Sequence, residues 1–314
     1  MTAPSPLRGA DIDYDKGYLK ELEKLVGETV HIDVASTATV PSSELKFGHV
    51  LELCTHIEKE LREGVDGVVV STGTDTLEEI AFALDLLVET NTPIVVTGAM
   101  RMKSDINYDG VSNLINAISV ASTKRAQDQG VLVVFNGDIL PAWTATKADT
   151  FSLNAFSASH GGPIGRVHEG AAHFFASSKW PARLVQPQTA PDSNVPMIQI
   201  GFDNDAYLLD RIVPGECSGL VVEALGGGHV PSRDAGALKK IAKDIPVILT
   251  HRCKHGAVLR TTYGYPGGEI DLLSHGLIHG GYLTPRKALV ALKLLLSNNA
   301  RRETIVDFFS TFAI

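Results

Sequence analysis

At 314 residues, with 44% hydrophobic and 20% charged content, the chain is long enough for two domains of ordinary globular composition. A net charge of −8 and the lack of any basic tract argue against non-specific nucleic-acid binding. Three widely spaced cysteines, Cys54, Cys217 and Cys253, exclude a disulfide framework and suit a reducing compartment. The polar opening Met1–Gly17 has no signal-peptide core, and no stretch approaches the ~20 apolar residues of a spanning helix, so a soluble cytoplasmic protein with no membrane partner is expected.

Short β-branched runs alternate with helical patterns through the first half. Val30–Ala35 reads as a strand and Leu45–Arg62 as a helix, with Ser42 or Ser43 available to cap it. Val68–Ser71 is a strand, Leu77–Glu89 a helix, Pro93–Thr97 a strand, Val111–Thr123 a helix and Val131–Phe135 a strand. Strands apolar on both faces and separated by helices predict a parallel sheet covered on both sides. Right-handed crossovers then bring the segments after Ser71, Thr97 and Phe135 to one edge. Between Trp180 and Pro196 the composition turns to Pro, Gln and Ser, which fits a linker over residues 181–196. It separates an N-terminal α/β domain, 1–180, from a smaller α/β domain, 197–314. In the latter, Met197–Gly201 and Gly219–Leu225 read as strands, Arg233–Asp244 as a helix, Pro246–Thr250 as a strand and Pro285–Ser297 as a helix opened by its proline.

Three polar stretches fall on the predicted carboxyl edge: Thr74–Asp75, Thr97–Arg101 and Thr144–Thr150. In Val68–Thr76 a β-branched run ends in Gly73, a hydroxyl and a carboxylate follow, and a helix begins. Ligands bind at such strand-to-helix junctions because helix N–H groups point at them. Thr76 and Glu79 also have capping-box spacing, so a plain helix start accounts for the cluster equally well. A hydroxyl, a carboxylate and Lys147 in one pocket would make an activated nucleophile, provided the lysine is neutral when it takes the proton. A lysine in a hydroxyl-rich loop is more often simply solvated.

The run Gly73–Thr74–Asp75–Thr76–Leu77–Glu78–Glu79, with Thr97–Gly98–Ala99–Met100–Arg101 one strand later, resembles the bacterial-type L-asparaginase/glutaminase family. The resemblance continues through Asp109–Gly110, Asn113–Leu114, Thr146–Lys147 and Gly162–Pro163–Ile164–Gly165. Gly226–Gly227–Gly228–His229 and Leu283–Thr284–Pro285–Arg286–Lys287–Ala288 extend it into the second domain. It implies a flavodoxin- or Rossmann-like N-terminal domain, a smaller α/β domain and a homodimer or homotetramer. It also implies hydrolysis of a small amino-acid amide to the acid and ammonia, with L-asparagine the leading substrate and neither metal nor organic cofactor. Carried over by residue, it implies a triad of Thr74, Lys147 and Asp75. Ser42 would hold the substrate's α-carboxylate, Asp75 would meet its α-ammonium, and the backbone at Gly73 and Ala99 would line the carbonyl. Tyr14, with Tyr18 nearby, lies in the neighbourhood of the family's flexible-loop tyrosine. Glu269 falls at the acidic residue supplied by a neighbouring subunit, within a stretch, Thr262–Ser274, that carries extra residues, and His229 would face that neighbour's site.

The family's other signature, a Thr-Gly-Gly-Thr-Ile-like strand end bearing a first nucleophilic threonine, has no match; the sequence starts just downstream of where it would lie. Three expectations follow: a record lacking a strand, a hydrolase that relies on Thr74, or a non-hydrolytic homologue that binds an amino acid or serves specialised metabolism. Three further features have plainer readings. His251 and His255, like His275 and His279, have i, i+4 spacing, but the first pair follows a strand and the second lies in a glycine-rich run, so no metal site is expected. The Gly226–Gly228 run suits either a phosphate cradle or a tight turn. Arg101 suits either a carboxylate anchor or a structural ion pair.

Overall fold

The computed structural model describes Leu22, Lys24, Leu25 and residues 30–178, 182–203 and 206–313. The chain divides into two compact units, Met1–Trp180 and Pro181–Ile314.

The first unit is built on a six-stranded mixed sheet. Strands β1 (Val68–Ser71), β2 (Ile94–Thr97) and β3 (Val131–Phe135) run parallel, with Val70 opposite Val96 and Val95 opposite Leu132. Every residue of β2 and β3 is buried, as expected for parallel strands covered on both faces. Helix α1 (Phe47–Glu63) buries Val50, Cys54 and Ile57, an apolar stripe at helical spacing, and ends on Gly64 in the left-handed region. Helix α2 (Leu77–Leu87) is buried on almost every side, and α3 (Gly110–Ala121) packs against all three parallel strands.

Beyond β3 the sheet turns antiparallel. Asn136 and Gly137 both take positive φ, forming a two-residue turn into β4 (Asp138–Pro141) with Phe135 opposite Asp138. Such a turn requires φ > 0 at both positions, which Asn-Gly tolerates best. Glu169 and Gly170 make the equivalent turn between β7 (Gly165–His168) and β8 (Ala171–Phe174). A separate two-stranded ribbon, β5 (Ala145–Lys147) with β6 (Phe156–Ala158), is anchored by Phe156 against Phe135, ring centroids 4.7 Å apart.

One expected strand is missing. Val30–Ala35 forms no regular element and is largely exposed. Its alternation of Val30, Ile32 and Val34 with His31 and Asp33 would support a strand only beside a ladder. Among the described residues β1 bonds to β2 alone, so no ladder reaches this segment.

The second unit carries a parallel four-stranded sheet in the order β12 (Ile278–His279), β11 (Val247–His251), β10 (Leu220–Ala224), β9 (Met197–Gln199). Residues 182–196, which precede it, contain no helix or strand. Helix α4 (Ser232–Asp244) buries Leu238 and Ile241 in one core with Leu220, Val222 and Leu249. Helix α5 (Glu269–Ser274) precedes β12, and α6 (Pro285–Ser297) lies against β10 and β11. Helix α7 (Arg302–Ser310) lies against β12. Helix α6 starts on Thr284, whose side chain accepts the Lys287 N–H, with Pro285 in its first turn. Among the described residues no helix is long and apolar enough to cross a membrane.

Two buried histidines fasten the loops of this unit. His251 Nε2 meets Gly256 O at 3.1 Å. His279 Nε2 donates to Val258 O at 2.8 Å while its Nδ1 accepts the Gly281 N–H at 3.0 Å. Both bonds of His279 are satisfied by the neutral ring, and a proton on Nδ1 would break the second. Burial, aided by the Arg260 charge and opposing the Val258 bond, pushes its pKa down to about 4; burial also lowers that of His251. The unfolded chain therefore takes up these protons first. The histidines' contribution to stability is complete above pH 6.5 and is lost as the pH falls towards 4. Thermal unfolding followed across that window should show a falling Tm, and His279→Asn should flatten the fall.

Candidate active site

The parallel strands place two loops side by side. The Thr72 N–H bonds to Thr97 O, and a Cβ at Gly98 would stand 2.3 Å from Thr72 O. Only glycine allows so close an approach of two backbones. The Thr97 hydroxyl donates to Val134 O across β3. The following loop hangs on helix α3. Asp109 accepts the Met100 and Arg101 N–H groups, and Asn113 donates to both Gly98 O and Asp109 while accepting the Asn136 N–H. Two loops are thereby tied to one turn of helix. The Arg101 guanidinium lies 3.5 Å from the Phe151 ring centroid and donates to Phe151 O.

The loop after β1 is shaped by Ser42. This serine is buried, its Oγ accepts the Asp75 N–H at 3.3 Å, and its carbonyl accepts the Thr76 hydroxyl at 2.8 Å. A Cβ at Gly73 would come within 2.6 Å of Ser42 Oγ, so the glycine makes room for the serine. Thr76 stands at the N-cap of α2, yet its side chain makes no capping bond. The capping-box reading of Thr76 and Glu79 is therefore replaced by a tie to Ser42.

Lys147 reaches this turn from the ribbon. Its Nζ donates to Thr74 Oγ1 at 2.9 Å and to Asp75 Oδ1 at 2.7 Å. The Asp75 side chain is 66% exposed and that of Lys147 only 20%. An ion pair so open to water adds on the order of 0–1 kcal/mol to stability. The pair therefore does little to hold the fold, and its interest is chemical: a hydroxyl, an amine and a carboxylate stand in hydrogen-bonded sequence at a helix N-terminus. The amide of Lys147 donates in turn to Glu78 Oε2 at 2.5 Å. Gly98, next to Ala99, packs against Thr74, so the Thr97–Arg101 loop borders the same hydroxyl.

The first unit thus brings together Ser42, Gly73, Thr74, Asp75 and Lys147, with Ala99 on the adjoining loop. The second unit holds His229 and Glu269 together. The glycine run forms a tight turn, Gly226 and Gly228 at positive φ, with Leu225 and His229 exchanging backbone bonds. His229 Nε2 lies 3.2 Å from Glu269 Oε2, and the ring meets Tyr263 and Tyr265 edge-on at 4.9 and 5.8 Å. Glu269 is fully buried. Burial opposes its ionisation, but the Tyr263 and Thr262 N–H groups and His229 outweigh that and hold its pKa below the ordinary value. Tyr14 and Tyr18 lie outside the described residues. Glu78, Asp109 and Asn113 were not singled out for any role in the sequence; the i, i+4 spacing of Asp109 and Asn113 on one helix face was the available signal.

The residues match known proteins along nearly their whole length. Residues 8–180 match the family model for the N-terminal asparaginase domain, and residues 194–309 match that for the glutaminase/asparaginase C-terminal domain. A probable L-asparaginase of Deinococcus radiodurans is 36% identical over 291 residues, covering 90% of this chain and 87% of that protein. The L-asparaginase of Bacillus licheniformis is 32% identical, with 90% of this chain and 87% of that protein covered. A solved structure, the probable cytoplasmic L-asparaginase of Campylobacter jejuni, superposes with a TM-score of 0.83 at 27% identity, covering 93% of each chain. This chain belongs to the asparaginase/glutaminase family.

Proposed function

We propose that the chain is an amidohydrolase that releases ammonia from a small amino-acid amide, with Thr74 as nucleophile. The observation that carries this reading is the placement of Lys147 Nζ, 2.9 Å from Thr74 Oγ1 and 2.7 Å from Asp75. In its neutral form Lys147 takes the hydroxyl proton as Thr74 Oγ1 attacks the amide carbon. Lysine returns the proton to the leaving nitrogen, ammonia departs, and a threonine ester remains. Water then attacks the ester with the same lysine as base, freeing the acid and restoring the hydroxyl. Asp75 steadies the lysine whenever it is charged.

Ser42 and Asp75 are assigned to the substrate's α-carboxylate and α-ammonium, and N–H groups at Gly73 and Ala99 to the carbonyl. The nearness of Ser42 Oγ to Asp75 and Gly73 supports that assignment. Charged ends held this way fix the amide against the nucleophile, which is where most of the rate advantage of a bound substrate arises. Glu269, buried, held ionised and paired with His229, is read as the carboxylate that a neighbouring copy contributes to the ammonium, so the working form is a homo-oligomer. The names of the relatives favour L-asparagine. One methylene separates it from L-glutamine, and a pocket discriminates that by ~1–3 kcal/mol. Three free cysteines, Cys54, Cys217 and Cys253, support a reducing compartment such as the cytoplasm.

Ammonia release from L-asparagine and L-glutamine by the purified protein tests the reading. Thr74→Ala should lose turnover by roughly a thousandfold or more, since removing one member of a cooperating set removes nearly all of its effect. Its unfolding midpoint should stay near that of the parent, because Thr74 is only partly buried. Ammonia release at the parent rate would remove Thr74 from the mechanism. Lys147→Met should still bind L-aspartate, followed by calorimetry, while its turnover falls by roughly a thousandfold to a small residual rate; turnover near the parent rate would exclude lysine as the base.

A further inference from the structure

Lys147 sits on a ribbon with one edge turned away from its partner strand. The Ala148 N–H bonds to Ala155 O and the Ser159 N–H to Thr144 O, so the ladder bonds fall on alternate positions. Lys147 and Phe156 are then a non-hydrogen-bonded pair, and the Lys147 N–H points outward. A donor turned from its own ladder in a protein interior needs another acceptor. It meets the Glu78 carboxylate at 2.5 Å, and Glu78 is 2% exposed.

Glu78 is the second residue of α2, one turn beyond the nucleophile loop. Thr74–Glu78 therefore takes hold of Lys147 at two points, its ammonium through Thr74 and Asp75 and its backbone through Glu78. A lysine side chain is long and rotamer-rich, and its exposed partner Asp75 constrains it weakly. A charge-assisted bond to the backbone sets the root of that side chain relative to the very helix that carries the hydroxyl.

We infer that Glu78 is a positioning residue: its buried carboxylate fixes the Lys147 backbone so that Nζ meets Thr74 Oγ1, and it acts on the reaction only through Lys147. The inference rests on the proposed Thr74–Lys147 chemistry. Glu78→Gln keeps the length of the side chain but replaces a charged acceptor with a neutral one. It should lower kcat by about ten- to a hundredfold, the scale of an ångström-sized misplacement. KM should stay within about threefold, because Ser42 and Asp75 are untouched.

A cycle with Lys147→Met separates positioning from a general loss of structure. In the Lys147→Met background, adding Glu78→Gln should change the residual rate by less than about twofold. A further fall as large as that of the single variant, or a Glu78→Gln enzyme with the parent kcat, overturns the inference. If Lys147→Met itself turns over like the parent, the lysine chemistry falls and the role of Glu78 with it. A Lys147→Met reduced to its residual rate beside a fully active Glu78→Gln overturns Glu78 alone. Should Glu78→Gln fail to fold, amide exchange in the unaltered protein decides. Slow exchange at Lys147 is the expected result, and exchange as fast as at exposed Thr150 contradicts it.

Discussion

The hydrogen-bonded sequence Asp75–Lys147–Thr74 is the contact on which the proposed chemistry turns. It joins residues more than seventy positions apart, and neither partner can supply it alone. Thr74 and Asp75 are set by the turn at Gly73, between β1 and a buried helix. Lys147 arrives by another route: out along β3, back along β4, and into a ribbon pinned to the sheet by Phe156 on Phe135. The fold exists in large part to bring those two routes to the same few ångströms.

Parallel strands provide the first half of that arrangement and antiparallel ones the second. Parallel pairing aligns the carboxyl ends of β1 and β2, and Gly98 allows their loops to touch. Asp109 and Asn113 then convert one turn of α3 into a support for two loops, each bond satisfying a backbone group. The rigid part of the site is therefore backbone held by side chains. The Glu78 carboxylate on the Lys147 N–H is the same device.

The parallel half of the first unit was legible from residues alone, because β1 to β3 are short runs dominated by Val, Ile and Leu between helices, and β10 and β11 read as strands for the same reason. The antiparallel addition was not, since β4, β7 and β8 are brief and partly polar. Its signals were the turn pairs Asn136–Gly137 and Glu169–Gly170, both at positive φ. Val30–Ala35 misled in the opposite direction, as alternation describes a strand's faces and says nothing of its neighbour. Thr74 and Asp75 stood out at once at a strand end. Lys147 did not, because a lysine among hydroxyls looks the same in a loop and in a site; the residues left both readings open, and resemblance favoured the site. Glu78 was met only as a member of the run Gly73–Glu79, and nothing in local spacing ties it to an amide 69 positions away.

The account depends on one covalent event, formation of an ester at Thr74. Rapid acid quench of the protein during turnover of L-asparagine, followed by peptide mass mapping, reads it directly. The account predicts an added aspartyl group on the peptide spanning Val68–Glu79, assigned by fragmentation to Thr74 and missing from Thr74→Ala. An acyl group mapped to any other residue would contradict it.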